Sequence, residues 1–520
     1  MAEVAKGGRG SGAIVFTGFM AAGKTTAARA AGEKLGVEVH DSDQVLEERL
    51  GMPIAQFFAG EGESEIRRRE EEVVLELLER GGIVSLGGGS VESERVRSAL
   101  VHHLCVWCCV NEPVAWSRSQ DTGRPLAADR AEFSRRFERR LPLYEATAQA
   151  ILPEGGTEMG AAAAPWLAAM RAAPATRLVW AESPGGSYPS VVGEGAVSLL
   201  AVAEPDPRRF AVADREALAR HQGLLPPLAA TIQIEGGEQR KTLTEAEVLL
   251  RALAAMEVRR DDLILAFGGG VTGDLAGFVA ATYQRGTPVV QLPTTVVAQV
   301  DSAYGGKTGV DLPEAKNYVG AYHQPLAVLA DPSTLATLPE AEIAAGFVEV
   351  LKTALIAGGD LWERVRGADL RALVRDGSEE LTDIVFACAR TKIEVVASDE
   401  RDGGRRAVLN LGHTVGHAIE SATGYGRYRH GEAVGLGLLA ALRLSGQDAL
   451  RDEVAGLLAA QALPARLEGA DPAAVVAATA RDKKRVDGAV PFVLVEAPGR
   501  VTPGHRLPDH EVLAAVAELA

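Results

Sequence analysis

Two short stretches combine residue types and spacings that could do chemistry. GFMAAGKTT, residues 18–26, fits the pattern G-x-x-x-x-G-K-[ST], in which main-chain N–H groups surround phosphates, the lysine reaches the β/γ-phosphates and the hydroxyl binds Mg²⁺. NLGHTVGHA, residues 410–418, places His413 and His417 four apart, so in a helix both imidazoles leave the same face. Such pairs often hold zinc jointly, although the glutamate that zinc proteases carry between them is absent. The chain therefore presents a nucleotide site and a question about metal.

Alternating strands and helices must position these stretches. AIVFT at 13–17 predicts the strand before the phosphate loop, and the spacing of apolar residues predicts a helix over 64–80. Further strands are predicted at 83–86, 104–110, 150–152, 177, 209, 262 and 288, with one more near 490. This alternation indicates an α/β fold with parallel sheets, and helical sequence dominates after about residue 335.

Composition restricts the possible partners. The 520 residues exceed one ordinary domain, and 47% apolar residues can form large cores. The net charge of −16 opposes nonspecific attraction to nucleic acid or to anionic membranes. No apolar run approaches the roughly 20 residues of a membrane span, and the N-terminus lacks a secretion-signal core. We expect a cytoplasmic protein without nucleic-acid or membrane partners, in which local cationic pockets bind anionic substrates.

The first half places acids, arginines and glycines around the phosphate loop. HDSDQ carries Asp41 and Asp43, which on an extended segment would face the same way, one toward a metal and one toward an acceptor hydroxyl. Arginines and close-approach glycines come from EIRRREEE at 65–72, LGGGS at 86–90, DTGRPL at 121–126 and RRLPLY at 139–144. Together these segments make a solvated loop the weaker interpretation.

Residues 11–171 resemble shikimate kinase, a P-loop phosphotransferase. The resemblance implies that Asp43 contacts the shikimate hydroxyls and acts as the base. Arg67 and Arg140 would bind the substrate carboxylate, with Glu70 orienting Arg67 and the Gly88 backbone closing on the acceptor, because a guanidinium fork matches a carboxylate.

The same resemblance implies a site for ATP and Mg²⁺. Its residues are Gly18, Ala22, Gly23, Lys24, Thr25, Thr26, Asp41 beside Mg²⁺, Arg118 beside adenine, and Arg124 in the lid over the transferring phosphoryl group. One departure is Ala21, which stands where the family usually has glycine and from which we expect a small effect.

The second half contains a glycine-rich turn between a predicted strand and a helix, FGGGVTGDLAGF at 267–278. Such a turn lets a pyrophosphate approach the backbone, although its spacing is not GxGxxG. The other distinctive segments are GGEQRKTL at 236–243, QLPTTVVAQVDSAYGGKTG at 291–309, AKNYVGAYHQP at 315–325, GFVEVLK at 346–352, RDGGRRAVLNLGHTVGHA at 401–418, YRHGEAVG at 428–435 and RDKKRVDG at 481–488. Their density of lysine and arginine suits a substrate with both phosphate and carboxylate.

In their order and in their amino-acid sequences, these segments resemble 3-dehydroquinate synthase over residues 177–520. The strand and helix pattern indicates a nucleotide-binding Rossmann-like α/β lobe at 177–335 and a mainly α-helical lobe at 336–520, to which the resemblance adds NAD in the first and a metal in the second. Gly, Pro and Thr residues after position 153 mark a junction, with a linker predicted at 172–176. It implies that NAD oxidises 3-deoxy-D-arabino-heptulosonate 7-phosphate, that phosphate leaves, and that re-reduction and ring closure give 3-dehydroquinate. A divalent ion, Zn²⁺ or Co²⁺, would bind hydroxyls at the carbon being oxidised.

The resemblance also assigns site residues by position. The implied metal ligands are Glu349, His413 and His430, so His417 is left to contact substrate. The implied substrate set is Arg285 (across a homodimer interface), Asp301, Lys307, Asn317, Lys352, Lys392, Arg406, Asn410, His417 and one of Lys483 and Lys484. The implied NAD set is Asp214, Gly236, Glu238, Lys241, Gly270, Val271, Thr272, Gly273, Asp274, Thr294, Thr295, Lys307, Lys316, Thr334, Leu335, Ala336 and Thr337.

Across both halves, the residues expected to act in the chemistry itself are Lys24, Asp43, Arg124, Lys307, Lys352, Lys392 and His417. Departures from the synthase pattern are Ala303-Tyr304, Ala315 and Asp402. Asp402 stands where glutamate is common, which bears on how its loop orders Arg406.

The leading hypothesis is a bifunctional enzyme that uses ATP with Mg²⁺ in one half and NAD with Zn²⁺ or Co²⁺ in the other. One alternative for the second half is a related sugar-phosphate cyclase acting on sedoheptulose 7-phosphate or glucose 6-phosphate, which lack a carboxylate for Arg406 and its neighbours. The alternative for the first half is a nucleotide-binding module without kinase activity.

Overall fold

The computed structural model describes residues 12–120, 129–424, 426–479 and 490–520. Three residues with predicted roles, Arg124, Lys483 and Lys484, lie outside the described residues. Two compact units are present. The N-terminal unit comprises Met1–Trp180 with Ser198–Asp206, and the C-terminal unit comprises Ala181–Val197 with Pro207–Ala520.

The N-terminal unit is built on a parallel sheet. Its main elements are β1 (Ile14–Thr17), α1 (Lys24–Leu35), β2 (Val39–Asp41), α2 (Ser42–Leu50), α3 (Ile54–Glu61), α4 (Glu63–Arg80), β3 (Ile83–Ser85), α5 (Glu94–Leu100), β4 (Leu104–Cys108), α6 (Glu112–Ser119), α7 (Arg130–Thr147), β5 (Ala150–Leu152), α8 (Thr157–Met170) and β6 (Arg177–Ser183). The strand order is β2-β3-β1-β4-β5-β6, with every pair parallel. Because the carboxyl ends of parallel strands share one edge, the segments after β1, β2 and β3 meet there.

Apolar side chains from adjacent strands and from α4 form the core of this unit. Val15, Val84 and Cys105 are fully buried and pack in one cluster with Val74 and Leu77. Each fully buried valine or leucine contributes about 1.5–3 kcal/mol. The core therefore fixes the edge of the sheet from which the phosphate loop extends.

The C-terminal unit begins with a group of parallel strands. The short helix α9 (Leu200–Ala203) belongs to the N-terminal unit, although it lies within this part of the chain. The elements of the C-terminal unit here are β7 (Gly186–Val192), β8 (Arg209–Asp214), α10 (Arg215–His221), β9 (Ala230–Ile234), α11 (Leu243–Ala255), β10 (Leu263–Gly268), α12 (Gly270–Thr282), β11 (Val289–Pro293), β12 (Lys307–Leu312), β13 (Ala315–Tyr322) and β14 (Ala327–Ala330). The sheet order is β7-β14-β11-β10-β8-β9, and β12 with β13 forms a separate antiparallel hairpin.

Helices make up most of the rest of this unit. They are α13 (Glu340–Ala357), α14 (Gly359–Gly367), α15 (Leu370–Asp376), α16 (Glu379–Ser398), α17 (His413–Ala422), α18 (His430–Leu444), α19 (Asp448–Ala460), α20 (Pro472–Thr479) and α21 (Asp509–Ala517), with the antiparallel strands β15 (Phe492–Ala497) and β16 (Arg500–His505) before α21. Helices α17 and α18 approach closely, since a Cβ on Gly437 would lie 2.0 Å from the Gly412 carbonyl oxygen. Close packing of these two helices brings their histidines together.

The predicted α/β class is confirmed, including the parallel sheets and the helical C-terminal part. The predicted helix at 64–80 corresponds to α4, and the strand near 490 corresponds to β15. The hairpin β12–β13 was not predicted, because its segment reads as glycine-rich and polar and has a register shift between Val310 and Leu312. Within the ranges that the structure describes, no helix is both long and apolar enough to cross a membrane.

Candidate active sites

The phosphate loop connects β1 to α1. Gly23 adopts φ +78° just before α1 begins at Lys24, a conformation that glycine reaches without strain. Lys24 is buried, and its Nζ donates to the Phe19 carbonyl at 2.9 Å. Thr25 Oγ1 donates to Asp41 Oδ2 at 2.7 Å. The structure thus brings together the lysine, hydroxyl and carboxylate that the motif predicts around ATP and Mg²⁺.

A cavity of about 490 Å³ opens beside this loop. It is lined by Ala21, Gly23, Lys24, Thr25, Thr26, Arg118, Gly155 and Gly156. Arg118 therefore faces the same space as the loop, where its side chain also pairs with Glu154. Positive charge and main-chain N–H groups around one cavity suit a nucleotide phosphate.

Ala21 adopts φ +61°. Left-handed backbone costs an L-residue roughly 1–2 kcal/mol, which explains why glycine suits this position. The added methyl group is thus not the only consequence of the departure.

Asp41 and Asp43 do not share an extended segment, so that part of the sequence interpretation is wrong. Asp41 ends β2 and caps α2, accepting from the Asp43 N–H at 3.0 Å, while Asp43 already lies in the first turn of the helix. The cap satisfies helix N–H groups that have no partner within the helix. Asp43 instead faces the next strand end, since a Cβ on Gly87 would lie 2.5 Å from both Asp43 Oδ1 and Glu70 Oε1.

Two predicted arginines lie near the glycines after β3. Arg67 bonds Glu70 at 2.5 Å, and a Cβ on Gly89 would lie 2.1 Å from the Arg67 guanidinium. Arg140 is 1% exposed and donates to Glu92 at 2.6 Å. Gly88, whose backbone is predicted to contact the acceptor, accepts a hydrogen bond at its carbonyl from the Tyr144 hydroxyl at 2.5 Å. Sequence reasoning missed Glu92 and Tyr144, although Tyr144 follows Arg140 by one helical turn.

In the C-terminal unit, the predicted NAD residues converge on the carboxyl edge of the sheet. Asp214 ends β8 and caps α10, and a Cβ on Gly236 would lie 2.7 Å from Asp214 Oδ2. Gly270 to Gly273 form the first turn of α12, whose Gly269 cap has no side-chain bond. The Gly273 N–H donates to the Gly269 carbonyl at 3.0 Å, so the N–H groups before it in that turn remain available to an anion. Thr294 and Thr295 follow the adjacent β11.

Lys241 connects this edge to the hairpin. Its Nζ lies 2.5 Å from Asp274 Oδ2 and donates to Asn317 Oδ1 at 2.5 Å. Asn317 adopts φ +54°, and its N–H donates to Asp311 at 2.6 Å. Burial opposes the charged ammonium, but Asp274 and Glu238 raise the pKa of Lys241. The predicted cofactor lysine and substrate asparagine are therefore in contact, and Asp311 is an organising residue that sequence reasoning missed.

A second missed contact involves the predicted segment 334–337, which follows β14. His221 Nε2 lies 2.7 Å from Thr337 Oγ1. Gln299 Nε2 donates to Thr334 Oγ1 at 3.1 Å. The predicted Leu335 is buried beneath this turn. Polar anchors hold the turn at the sheet edge with the other predicted NAD residues.

Three histidines and one glutamate meet where α13, α17 and α18 pack. Ring nitrogens of His413, His417 and His430 all lie within 4.8 Å of one another. Glu349 Oε1 lies 3.5 Å from Nε2 of both His413 and His430. Two ligand atoms about 2.1 Å from a common ion at a tetrahedral angle are about 3.4 Å apart, so the spacing fits a divalent metal.

The Glu349 carboxylate also fits a metal by its environment. It is 1% exposed, and neither oxygen has a well-aligned hydrogen-bond partner among the described residues, although Lys352 Nζ lies 2.5 Å from Oε2. Burial and the nearby Lys352 hold the pKa of His413 well below its ordinary value, which gives the neutral imidazole that metals bind. The His417 ring nitrogen lies within 4.8 Å of a ring nitrogen of each of the other two histidines, as these two do of each other. The exclusion of His417 from the metal ligands therefore stays a prediction.

Two predicted lysines share Asp301, which lies in a π-helical segment at Ala298–Ser302. Lys352 Nζ and Lys392 Nζ lie 3.7 Å and 2.8 Å from Asp301 Oδ1. Burial disfavours both charges, but Asp301 and Glu349 raise the pKa of Lys352, whereas the pKa of Lys392 is lowered despite its bond to Asp301. Charged Lys352 is therefore favoured by its neighbours, whereas Lys392 loses its proton more readily than an ordinary lysine.

Asp402 joins two further predicted cations. It pairs with Lys307, and its Oδ1 lies 3.4 Å from Arg406 Nε. Arg406 is buried, and it also donates to the Gly305 carbonyl at 3.3 Å. Asp402 thus still orders this loop despite being shorter than glutamate. Asn410 immediately precedes the turn into α17.

Arg285 is exposed in a turn with φ +65°, and among the described residues it forms no hydrogen bond or ion pair with the other predicted substrate residues. Its predicted role across an interface is therefore untested within one chain.

Glu420 is the main residue that sequence reasoning missed here. It is buried, with Oε2 3.5 Å from His430 Nδ1 and Oε1 3.6 Å from Lys316 Nζ. The signal was present, because Glu420 follows His413 by seven residues and His417 by three on α17, and so lies on the same helix face. Carboxylates at the outer nitrogen of a metal-binding histidine orient its ring.

Comparison with known families agrees with this geometry. The model of the 3-dehydroquinate synthase N-terminal region matches residues 231–345, and that of the C-terminal region matches 346–485. The shikimate kinase model matches residues 20–171. The 3-dehydroquinate synthase of Gloeobacter violaceus is 44% identical over 294 residues, covering 55% of this chain and 80% of that protein. That of Symbiobacterium thermophilum is 41% identical over 336 residues, covering 60% and 92%.

Solved structures give the same fold for the C-terminal unit. The 2-epi-5-epi-valiolone synthase of Streptomyces hygroscopicus, solved with NAD⁺ and Zn²⁺, is 26% identical with a TM-score of 0.60, covering 65% of this chain and 98% of that one. A 2-deoxy-scyllo-inosose synthase, solved with carbaglucose-6-phosphate, NAD⁺ and Co²⁺, is 25% identical with a TM-score of 0.58, covering 66% and 100%. The chain belongs to the 3-dehydroquinate synthase family and carries a shikimate kinase domain ahead of the synthase, as a bifunctional enzyme of the shikimate pathway.

Proposed function

We propose that the C-terminal unit converts 3-deoxy-D-arabino-heptulosonate 7-phosphate to 3-dehydroquinate and phosphate with NAD and Zn²⁺ or Co²⁺, and that the N-terminal unit phosphorylates shikimate to shikimate 3-phosphate with ATP and Mg²⁺. The observation that carries the synthase half of the proposal is the buried Glu349 carboxylate facing His413 and His430. For the kinase half it is the phosphate loop, in which Lys24 and Thr25 line one cavity and Thr25 donates to Asp41. The 3-dehydroquinate synthases at 41–44% identity support the heptulosonate substrate over the substrates of the valiolone and inosose synthases at 25–26% identity.

In the kinase, acids and arginines would position the acceptor. Asp43 would accept the proton of the attacking hydroxyl, because its carboxylate faces the glycines at the end of β3. Arg67 and Arg140 would bind the shikimate carboxylate. Lys24 would exchange its present carbonyl partner for the phosphates, and Arg124 would neutralise the transferring group. Thr25 and Asp41 would bind Mg²⁺ directly or through water.

In the synthase, Glu349, His413 and His430 would hold the divalent ion. When bound, the ion supplies Lewis acidity at the substrate hydroxyls, and NAD accepts and returns the hydride. Lys352 stays charged between Asp301 and Glu349, so it would stabilise negative charge on the substrate. Lys392, with its lowered pKa, would move a proton. Lys307, Arg406 and one of Lys483 and Lys484 would bind the phosphate and carboxylate.

NAD would lie along the carboxyl ends of the parallel strands in the C-terminal unit. Its pyrophosphate would meet the N–H groups at the start of α12, and Asp214 and Glu238 would accept bonds from ribose hydroxyls. Lys241 and Lys316 would balance the cofactor charge. Thr294, Thr295 and the segment 334–337 would complete the site.

We further propose a homodimer through the synthase half, a linker at 172–176 and a cytoplasmic location. The exposed position of Arg285 supports the dimer, since a partner's substrate could reach it. Size-exclusion chromatography with light scattering tests the dimer, and a monomer at working concentration would contradict it.

A paired assay of the full chain tests the two activities. We expect phosphate release from the heptulosonate and shikimate-dependent ADP formation. Chelation should abolish the first, while Mg²⁺ alone should restore the second. Preferential turnover of sedoheptulose 7-phosphate or glucose 6-phosphate would overturn the synthase proposal, and no ADP formation from a folded chain would overturn the kinase proposal.

A further inference from the structure

One carboxylate near the proposed shikimate site has no part in the roles described so far. Glu92 ends the short 3₁₀ turn Ser90–Glu92, which comes after the glycines that follow β3. Its Oε2 accepts from Arg140 at 2.6 Å, and its Oε1 accepts from Arg139 at 2.7 Å. Two guanidinium groups therefore share this carboxylate. Burial opposes its charge, but Arg140 and Arg139 hold the pKa of Glu92 below its ordinary value.

Glu92 faces a cavity of about 490 Å³ in the N-terminal unit. The described lining includes Arg67, Gly89, Ser90, Glu92 and Arg139. Arg140 is 1% exposed and is not part of that lining, whereas Glu92 is 23% exposed. Glu92 therefore lies on the side of Arg140 that meets the cavity.

The two arginines predicted to bind the substrate carboxylate differ in their exposure. Arg67 is 28% exposed and lines the cavity even while it pairs with Glu70. Arg140 is buried, and its Nε has no hydrogen-bond partner in the described structure. A second carboxylate approaching Arg140 would meet the like charge of Glu92, and like charges at short range repel.

We propose that Glu92 competes with the carboxylate of the acceptor for Arg140 and so sets the affinity of the kinase for its acceptor. The inference rests on the proposed shikimate kinase function. An internal carboxylate bonded to a guanidinium uses the same donors as a bound carboxylate would. The acceptor must then displace Glu92 or share Arg140 with it, and either event weakens binding.

Steady-state kinetics of the full-length chain with saturating ATP and Mg²⁺ test this. Glu92→Gln keeps the shape of the side chain and removes its charge. We expect the KM for shikimate to fall about tenfold with kcat within about twofold, since one repulsive charge pair near a buried arginine is removed. Inhibition by benzoate, a carboxylate that cannot be phosphorylated, should strengthen in parallel.

Glu94→Gln is the matched control, because it removes the same charge two residues away without a bond to either arginine, and its KM should stay at the wild-type value. Glu92→Ser provides a second removal of the carboxylate, and thermal unfolding monitors the fold of each variant. An unchanged or raised KM in both folded Glu92 variants would overturn the proposal and would make Glu92 a residue that orients Arg140. Failure of the wild type to phosphorylate shikimate would instead overturn the proposed function.

Discussion

The phosphate loop and the metal cluster are built in different ways. The loop takes its groups from one continuous segment, Gly18 to Thr26, and much of its chemistry comes from main-chain N–H groups. The cluster takes Glu349, His413 and His430 from three helices that begin at positions 340, 413 and 430. A contiguous motif depends mostly on local backbone shape, whereas an assembled cluster depends on how whole helices pack.

The charges of the two regions are also buried to different degrees. Glu349 and Lys352 in the cluster are each 1% exposed, whereas Lys24 in the loop is 9% exposed. Removing one member of a buried pair leaves an uncompensated charge, which costs about 3–5 kcal/mol. We therefore expect single substitutions to reduce activity most when they are made in the metal cluster.

The largest expected effect is at the metal cluster. We expect His413→Ala to lose the bound metal and to reduce synthase turnover by about a thousandfold or more, since a ligand is removed. His417→Ala should lose turnover but keep the metal. Metal content by mass spectrometry, measured with both activities, checks this. Kinase turnover is the internal control, and equal metal loss in both variants would make His417 a joint ligand.

The next effect concerns the loop. Lys24→Met should reduce kinase turnover by roughly a hundredfold to a thousandfold, because one charged donor to the transferring phosphoryl group is lost. Shikimate-dependent ADP formation measures this effect, with synthase turnover as the control. Kinase activity at the wild-type level would contradict the assignment of the loop as the catalytic nucleotide site.

A smaller effect on metal affinity is expected at Glu420, which contacts the predicted metal ligand His430. Glu420→Gln should weaken Zn²⁺ binding by about 10- to 100-fold, since the outer nitrogen of His430 loses its carboxylate. Calorimetric titration of the metal-free protein measures the affinity. Glu394→Gln is the control, because Glu394 lies on α16 and pairs with Arg390 at the surface. Equal affinities in wild type and Glu420→Gln would remove Glu420 from the site.

The smallest effect concerns the loop backbone. Ala21→Gly should raise the free energy of unfolding of the N-terminal unit by about 0.5–1 kcal/mol, because relief of left-handed strain exceeds the added entropy of glycine in the unfolded chain. Urea unfolding followed by tryptophan fluorescence measures it. Ala22→Gly is the control, since Ala22 is buried without a positive φ and should lose stability. Loss of stability in both variants would contradict the strain argument.

Sequence patterns were sufficient for elements marked by a strong run or a regular spacing of apolar residues. Strands β1, β3 and β5 and helix α4 follow from runs and spacings of apolar side chains. The hairpin β12–β13 could not be predicted in this way, because strand pairing there joins residues with weak apolar alternation. The helical state of Asp43 was also missed, since the capping role of Asp41 depends on where α2 begins.

The sequence by itself determined the phosphate loop, the paired histidines and the family, because their residues stand in fixed order and spacing. Only the tertiary structure decided that Glu92 pairs with Arg140 and that Glu420 meets His430 and Lys316. Glu92 and Arg140 lie 48 residues apart in the chain, so no local pattern relates them. Contacts of this kind arise when separate elements pack around a shared core, and the packing sets their distances.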